Sequence, residues 1–344
     1  MHQNWHSDIR PQKIKGAFIQ FITIHQKKAL FYRQFAVMLK SGISIVACLK
    51  QLKTLSGSSD ISENLLSSVE RGEKLSYAME NSRNFFTNLE IKTISAGEIS
   101  GNLVELLEKL ASYFETIQDV KYRLISGMVY PAILLHAAII IPAVPLLFTK
   151  SILAFLARIL PIFIFIYGCA FVIFFSYRAL SKPEMEEIRD FIVLKIPIGF
   201  GKLFKKVSVI RFLHALNCLY SAGVPITEAI KISAEASGNK IIEKEIVKTG
   251  KLVEQGIGFS EAFSANSILP PIVIDMLQTG HQSGTMDRML EKAASYLQQE
   301  VNLAVEAVLK IIPVVVYLLV ALYVASIVIS FYRGYYYQIN SLLE

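Results

Sequence analysis

The chain has 344 residues, of which 53% are hydrophobic and only 18% charged, with a mean hydropathy of +0.45. That balance excludes an intrinsically disordered polypeptide and is too apolar for an ordinary soluble protein. The formal charge is +7, but the surplus clusters beside apolar stretches and no aromatic-interleaved basic groove is visible, so membrane orientation explains it better than nucleic acid.

Residues 1–27, with Trp5, Asp8 and scattered apolar side chains, lack the features of a signal peptide and read as a short N-terminal extension. A polar helical block follows over 28–126. Its first stripe is Phe31, Phe35, Met38 and Leu39, and its last is Leu103, Leu106, Leu107, Leu110, Tyr113 and Phe114, both at helical spacing. Gly42, Gly72 and Gly97 punctuate the helical runs. Asn102 followed by Glu105 fits a capping box at the start of the Leu103 helix. That helix meets no breaker before Gly127, beyond Lys121 and Arg123.

Three stretches carry no Lys, Arg, Asp or Glu: Leu124 to Thr149, Ile159 to Tyr177 and Ile311 to Tyr332, of 26, 19 and 22 residues. A spanning helix needs about 20 apolar residues, so each is long enough to cross a bilayer. The expected spans are 127–149, 159–178 and 311–332. Residues 150–158 form a short outer link or an interfacial turn between the first two, and 333–344 an outward tail. A second polar block occupies 179–310. Two spans separate the blocks, so both lie on one side, and the flanking Lys121, Arg123, Arg178, Lys182, Lys292 and Lys310 mark it as cytoplasmic. Pro142 and Pro145 are expected to kink the first span near its outer end.

The two polar blocks are copies of each other. Gly97 to Glu115 aligns with Gly280 to Gln298 at nine of nineteen positions, 183 residues apart: Gly97, Ser100, Gly101, Leu107, Glu108, Lys109, Ala111, Ser112 and Tyr113 recur. Lys40-Ser41-Gly42-Ile43-Ser44-Ile45 likewise meets Ser221-Ala222-Gly223-Val224-Pro225-Ile226. His281 stands where the first copy has Glu98, and Thr285 keeps a capping side chain where Arg288 has replaced the glutamate. Each copy reads as a small helical bundle joined stiffly to the span that follows it. Transmission of motion and passive anchoring both fit that pattern.

Signatures of catalysis are missing. Gly199-Phe200-Gly201-Lys202 lacks the spacing of a phosphate-binding loop, and Gly256-Ile257-Gly258 lacks the third glycine of a dinucleotide turn. No metal-ligand or nucleophile motif is found, and no cofactor is expected. Cys48, Cys169 and Cys218 have no paired spacing, and Cys48 and Cys218 read as small buried helix residues. His136, inside the first span, is open to two readings, a proton relay or a packed polar group.

At Gly97-Glu98-Ile99-Ser100-Gly101-Asn102-Leu103 and its twin, the chain resembles the GspF/PilC family, the inner-membrane platform proteins of type II secretion systems and type IV pili. The two glycine turns at Gly42 and at Gly223-Val224-Pro225, Tyr130-Pro131 at the first membrane entry, Ile196-Pro197-Ile198-Gly199 and Gly238-Asn239 carry the resemblance over about residues 28–335. It implies an all-α membrane protein with two cytoplasmic six-helix F domains and three transmembrane helices, in the bacterial inner membrane. It also implies a non-enzymatic platform that couples a cytoplasmic hexameric secretion ATPase to extraction and polymerisation of prepilin-like or pseudopilin subunits. Bitopic assembly proteins, the lipid bilayer and further copies of the chain are the other implied partners. The short extension fits a short, divergent or competence-type member.

The candidate site residues are Gly97, Glu98, Ser100, Gly101, Gly280, His281, Ser283 and Gly284 at the signature turns. Gly42, Gly223 and Pro225 are structural turns, and Tyr130, Pro131 and Pro313, which follows Ile312, stand at membrane entry. Glu98 reads either as a turn carboxylate satisfying backbone amides or as part of a partner surface. A small polytopic transporter or channel acting as an oligomer is the alternative function, although the spans offer it only His136 and a few hydroxyls.

Overall fold

The computed structural model describes residues 17–55, 59–149, 151–180, 185–196, 199–264 and 268–343. Trp5, Asp8, Lys150, Lys182, Pro197 and Ile198 lie outside them. Among the described residues every regular element is a helix. Copy 1 supplies α1 (Ala17–Lys40), α2 (Ile45–Leu55), α3 (Ser59–Glu70), α4 (Leu75–Glu80), α5 (Asn88–Ser100) and the long α6 (Leu103–Ile140). A 3-10 turn (Ile141–Ala143) and α7 (Pro145–Thr149) follow, then α8 (Ile152–Ala179) and α9 (Glu186–Lys195). Copy 2 repeats the series as α10 (Phe200–Ser221), α11 (Ile226–Ala236), α12 (Lys240–Glu254), α13 (Phe259–Ser264), α14 (Pro271–Ser283) and α15 (Met286–Leu343).

Local chemistry sets several of these boundaries. The capping box lies at the start of α5, where the Thr87 hydroxyl accepts from the Glu90 amide and the Glu90 carboxylate accepts from the Thr87 amide. At the expected one, Glu105 instead pairs with Lys109 at 3.3 Å, one turn along its own helix. Asn239 caps α12 by accepting from the Ile241 and Ile242 amides at 3.1 and 3.2 Å. Pro142 and Pro145, which cannot donate to a helical ladder, coincide with the end of α6 and its change to a 3-10 turn. Residues from Ile152 onward, expected to be part of a link, belong to α8, whose start is capped by Ser151 accepting from the Ala154 amide.

The chain divides into two compact units. Unit 1, residues 1–121 and 207–298, contains most of both copies. Within copy 1, Phe35, Leu49, Ile94 and Leu107 are fully buried, and within copy 2, Phe212, Leu216, Ile246 and Leu290. The copies meet through copy 1's last two helices and copy 2's first two. Lys92 on α5 pairs with Glu228 on α11 at 3.0 Å, and the Asn88 amide donates to Glu235 at 3.0 Å. On α6, Lys109 donates to Ser221 of α10, and the Tyr113 hydroxyl donates to the Ala236 carbonyl at 3.2 Å.

Unit 2, residues 122–206 and 299–344, contains the apolar helices. Three helical stretches, Leu103–Phe148, Ile152–Ala179 and Met286–Gly334, are long and apolar enough to cross a membrane. Side chains such as Phe171, Val172, Leu318 and Leu322 face outward, the arrangement expected of a lipid-facing surface. α6 packs closely on α15 at Gly127, where a methyl would come within 2.4 Å of the Leu309 side chain.

Candidate functional site

The signature turns are built alike in both copies. α5 ends at Gly101, which adopts a left-handed conformation with φ of 77°, and α14 ends at Gly284 with φ of 68°. That conformation costs an L-residue roughly 1 kcal/mol and a glycine little, so it turns the chain at once into the next helix. Gly97 and Gly280, one turn earlier, serve the crossing itself. A methyl on Gly97 would sit 3.2 Å from the Leu103 backbone, and one on Gly280 2.8 Å from the Met289 side chain and 3.1 Å from the Met286 backbone. The spacing Gly-x-x-x-Gly therefore records two requirements, a close approach and then a left-handed stop.

Between these glycines the copies differ. Glu98 projects from α5 onto the start of α4, where its carboxylate accepts from the Leu75 amide at 2.6 Å, the Ser76 amide at 3.2 Å and the Ser76 hydroxyl. α4 lacks a side-chain cap of its own, because Lys74 occupies the capping position. Glu98 supplies both the missing acceptor and a negative charge at the positive end of the helix dipole. His281 is exposed and brings no carboxylate to the matching place in copy 2. Ser100 accepts from the Asn102 amide at 3.4 Å, while Ser283 donates to the Thr279 carbonyl and meets the Thr285 hydroxyl, both at 2.7 Å.

The other named turns are also paired. Gly42 and Gly223 close α1 and α10, each donating to the carbonyl three residues back while the next residue reaches five back, and Pro225 precedes α11 as its capping residue. Tyr130 and Tyr317 share a hydrogen bond of 2.7 Å between α6 and α15. Pro131 lies inside α6 and Pro313 inside α15. His136 Nδ1 donates to the Ala132 carbonyl and Nε2 accepts from the Tyr167 hydroxyl, both at 2.7 Å. That arrangement satisfies both ring nitrogens and ties α6 to α8.

One polar cluster escaped the sequence reading. Glu90, fully buried, receives Lys28 at 2.7 Å, the Tyr32 hydroxyl at 2.6 Å and the Thr87 amide at 2.8 Å. The Lys28 ammonium also lies over the Phe114 ring at 5.3 Å. The repeat carried the signal that would have found it. Shifted to copy 2, Lys28, Tyr32 and Glu90 fall on Val209, Leu213 and Val273, all buried and apolar. Nearby, burial first and then the charges of Arg211, Lys121 and Lys28 push His25 down to about 3. Burial alone pushes His214 down to about 4, where it contacts Thr116 across the two copies at 3.5 Å. Among the described residues no group of three His, Cys, Asp or Glu is placed to hold a metal ion.

The family described as type II secretion system (T2SS), protein F, matches this chain twice, over residues 31–149 and 212–333. The chain belongs to that family. Each matched segment takes in most of one copy and the apolar helix that follows it. The type IV pilus assembly protein PilC of Myxococcus xanthus is 28% identical over 91% of this chain and 79% of its own length. PilC of Thermus thermophilus is 31% identical over 80% of this chain and 74% of its own. The type II secretion system protein F of Pseudomonas aeruginosa is 30% identical, covering 81% and 74%. Relatives thus come from both pilus and secretion machines, and this protein F homologue shares with them 80% to 91% of its length.

Proposed function

We propose that the chain is a non-enzymatic platform in the bacterial inner membrane that couples a cytoplasmic secretion ATPase to extraction and polymerisation of prepilin-like subunits. The observation that carries this reading is the continuity of α6 and α15. Each helix starts in unit 1 and runs without interruption into an apolar stretch, α6 to Ile140 and α15 to Leu343. A displacement imposed on the paired copies would reach the membrane through helical backbone instead of a flexible linker. Lys121, Arg123, Arg178 and Lys310 support a cytoplasmic position for unit 1, with the tail outward. Membrane helices with no acidic or basic side chain in their apolar stretches, and with His136 fully hydrogen-bonded, suit an anchor and subunit-binding surface better than a transport path. Bitopic assembly proteins, pilin-like subunits and lipid are the partners on this reading.

The test uses the full chain in a lipid nanodisc with the hexameric ATPase encoded by the same organism's pilus or secretion locus. Co-purification and a several-fold rise in ATP turnover are expected. Unchanged turnover with no co-purification, together with solute flux through vesicles holding the chain, would replace the platform by a transporter.

A further inference from the structure

Helix α9 stands outside the repeated series, beginning at Glu186 soon after α8 ends at Ala179. Its polarity is inverted for a helix in water. Ile188, Phe191, Ile192 and Lys195 recur at i, i+3, i+4 and i+7 and so share one side. Ile188, Phe191 and Ile192 are 52%, 49% and 50% exposed. Met185 and Ile196 are exposed beside them, with Glu187 at the border. Lys195 lays its ammonium over the Phe191 ring at 4.4 Å. The opposite side carries Asp190, which is buried and accepts from Arg189 Nε at 2.8 Å. The helix thus turns a carboxylate inward and its large apolar side chains outward.

A contact with α8 fixes the level of this face. The Arg189 guanidinium lies over the Tyr177 ring at 5.8 Å. Tyr177 closes the charge-free stretch of α8 and Arg178 follows it. In a spanning helix that order of residues falls where acyl chains give way to headgroups, and α9 shares the level. At ten residues α9 is about 15 Å long. A span needs about 20 residues, so α9 is too short to cross. Tyr177 and, further into α8, Phe174 and Phe171 are exposed as well, so the apolar exposure continues from the span onto α9.

We propose that α9 lies in the plane of the membrane surface, on the side where α8 ends, with Ile188, Phe191 and Ile192 sunk among headgroups and upper acyl chains. Lipid is the occupant because the face sits at interfacial depth and continues the exposed side of a spanning helix. Lys195 can rest its stem on Phe191 and carry its charge to the lipid phosphates. The other end of α9 is locked to α10. The Gly201 amide donates to the Ile196 carbonyl at 3.1 Å, and a methyl on Gly201 would collide with the Leu194 carbonyl oxygen. α9 therefore clamps the start of copy 2's first helix to the bilayer surface, an attachment separate from the apolar stretch of α15. The inference needs α8 to span a bilayer and does not need the platform function.

The chain has a single tryptophan, Trp5. In a Trp5→Phe background, Phe191→Trp and Ile192→Trp are made separately in the full-length chain and placed in nanodiscs of phosphatidylcholine. Both positions are exposed, so either exchange spares the packing and each checks the other. Tyr77→Trp, at an exposed position in copy 1, is the reference for water. Lipid brominated high on the acyl chain is expected to quench Trp at 191 and 192 roughly twofold, with weaker quenching by lipid brominated near the chain end and none by aqueous iodide. Three results overturn the proposal. Iodide quenching equal to that of Tyr77→Trp would leave the face in water. Blue-shifted emission that neither bromolipid nor iodide quenches would cover it with protein, a second copy included. Stronger quenching from the chain end would bury α9 in the hydrocarbon instead of its surface.

Discussion

Glu98 holds the start of α4 from a different helix, its carboxylate 2.6 Å from the Leu75 amide, 23 residues away in sequence. A short helix with lysine at its capping position has little intrinsic stability, so its first turn depends on that donated acceptor. Glu98→Ala is expected to cost about 1–2 kcal/mol, comparable to losing an ordinary N-cap. Glu98→Gln, which keeps an acceptor oxygen but loses the charge, should cost less. Thermal unfolding of the full chain followed by circular dichroism would order the three proteins. Equal melting temperatures would mean that the contact contributes nothing to stability.

The cluster around Glu90 invites a cycle of substitutions that copy 2 has already written. Removing one partner strands the other charge, so Lys28→Val or Glu90→Val alone is expected to destabilise by about 3–5 kcal/mol. Replacing Lys28, Tyr32 and Glu90 together by Val, Leu and Val, the residues at the matching copy 2 positions, should recover most of that loss. About 1 kcal/mol is expected to remain missing, because Glu90 also completes the Thr87 capping box. Chemical denaturation of all three variants would decide it. A triple variant no more stable than the singles would show that the surrounding core is shaped for the ion pair.

Apolar stretches free of charge and a recurring Gly-x-x-x-Gly made the membrane helices, the all-helical fold and the duplication legible in the residues. Each of these follows from local composition or self-similarity. Glu98 was legible as a turn carboxylate that could satisfy backbone amides, but not which ones, because the Leu75 and Ser76 amides lie 23 and 22 residues away on another helix. Lys28 and Glu90 stand on separate helices, 62 residues apart in the chain, with no shared motif to join them. Only packing α1 on α5 turns them into a buried pair. The capping box was assigned to Asn102 and Glu105 by the same four-residue pattern that Thr87 and Glu90 satisfy. Glu105 stays exposed and finds Lys109 instead, so solvent exposure decided between two matching sequences.

The two glycines of each signature are expected to fail in different ways. Gly101→Ala forces a left-handed alanine into open space, a cost of about 1 kcal/mol that Gly101→Asn should largely avoid. Gly280→Ala sets a methyl 2.8 Å from Met289 Cβ, and Gly97→Ala sets one 3.1 Å from the nearest Leu106 atom. The helices must separate in the first case and shift only slightly in the second. Gly280→Ala should therefore destabilise more than Gly97→Ala, by about 1 kcal/mol or more given typical overpacking costs. Asn should rescue neither position. Melting temperatures that rank Gly97→Ala below Gly280→Ala would contradict this account of the crossing.

His214 makes the junction of the two copies sensitive to acid. Burial lowers its pKa in the folded chain to about 4, so it stays neutral there while an unfolded chain takes up its proton near the ordinary value of 6.5. Between those values the unfolded state binds more protons, and stability falls as pH falls. One group shifted this far accounts for a loss on the order of 2 kcal/mol between pH 7 and pH 5. Below about pH 4 both states are protonated and the loss stops growing. His214→Gln, which keeps a group able to reach Thr116 and removes the titration, is expected to flatten that part of the stability profile. His25, lowered to about 3, contributes a slope of the same sign that persists in the variant. Urea midpoints of the parent chain and His214→Gln at pH 7, 6 and 5 would check this. Parallel profiles would show that the imidazole takes up its proton in place.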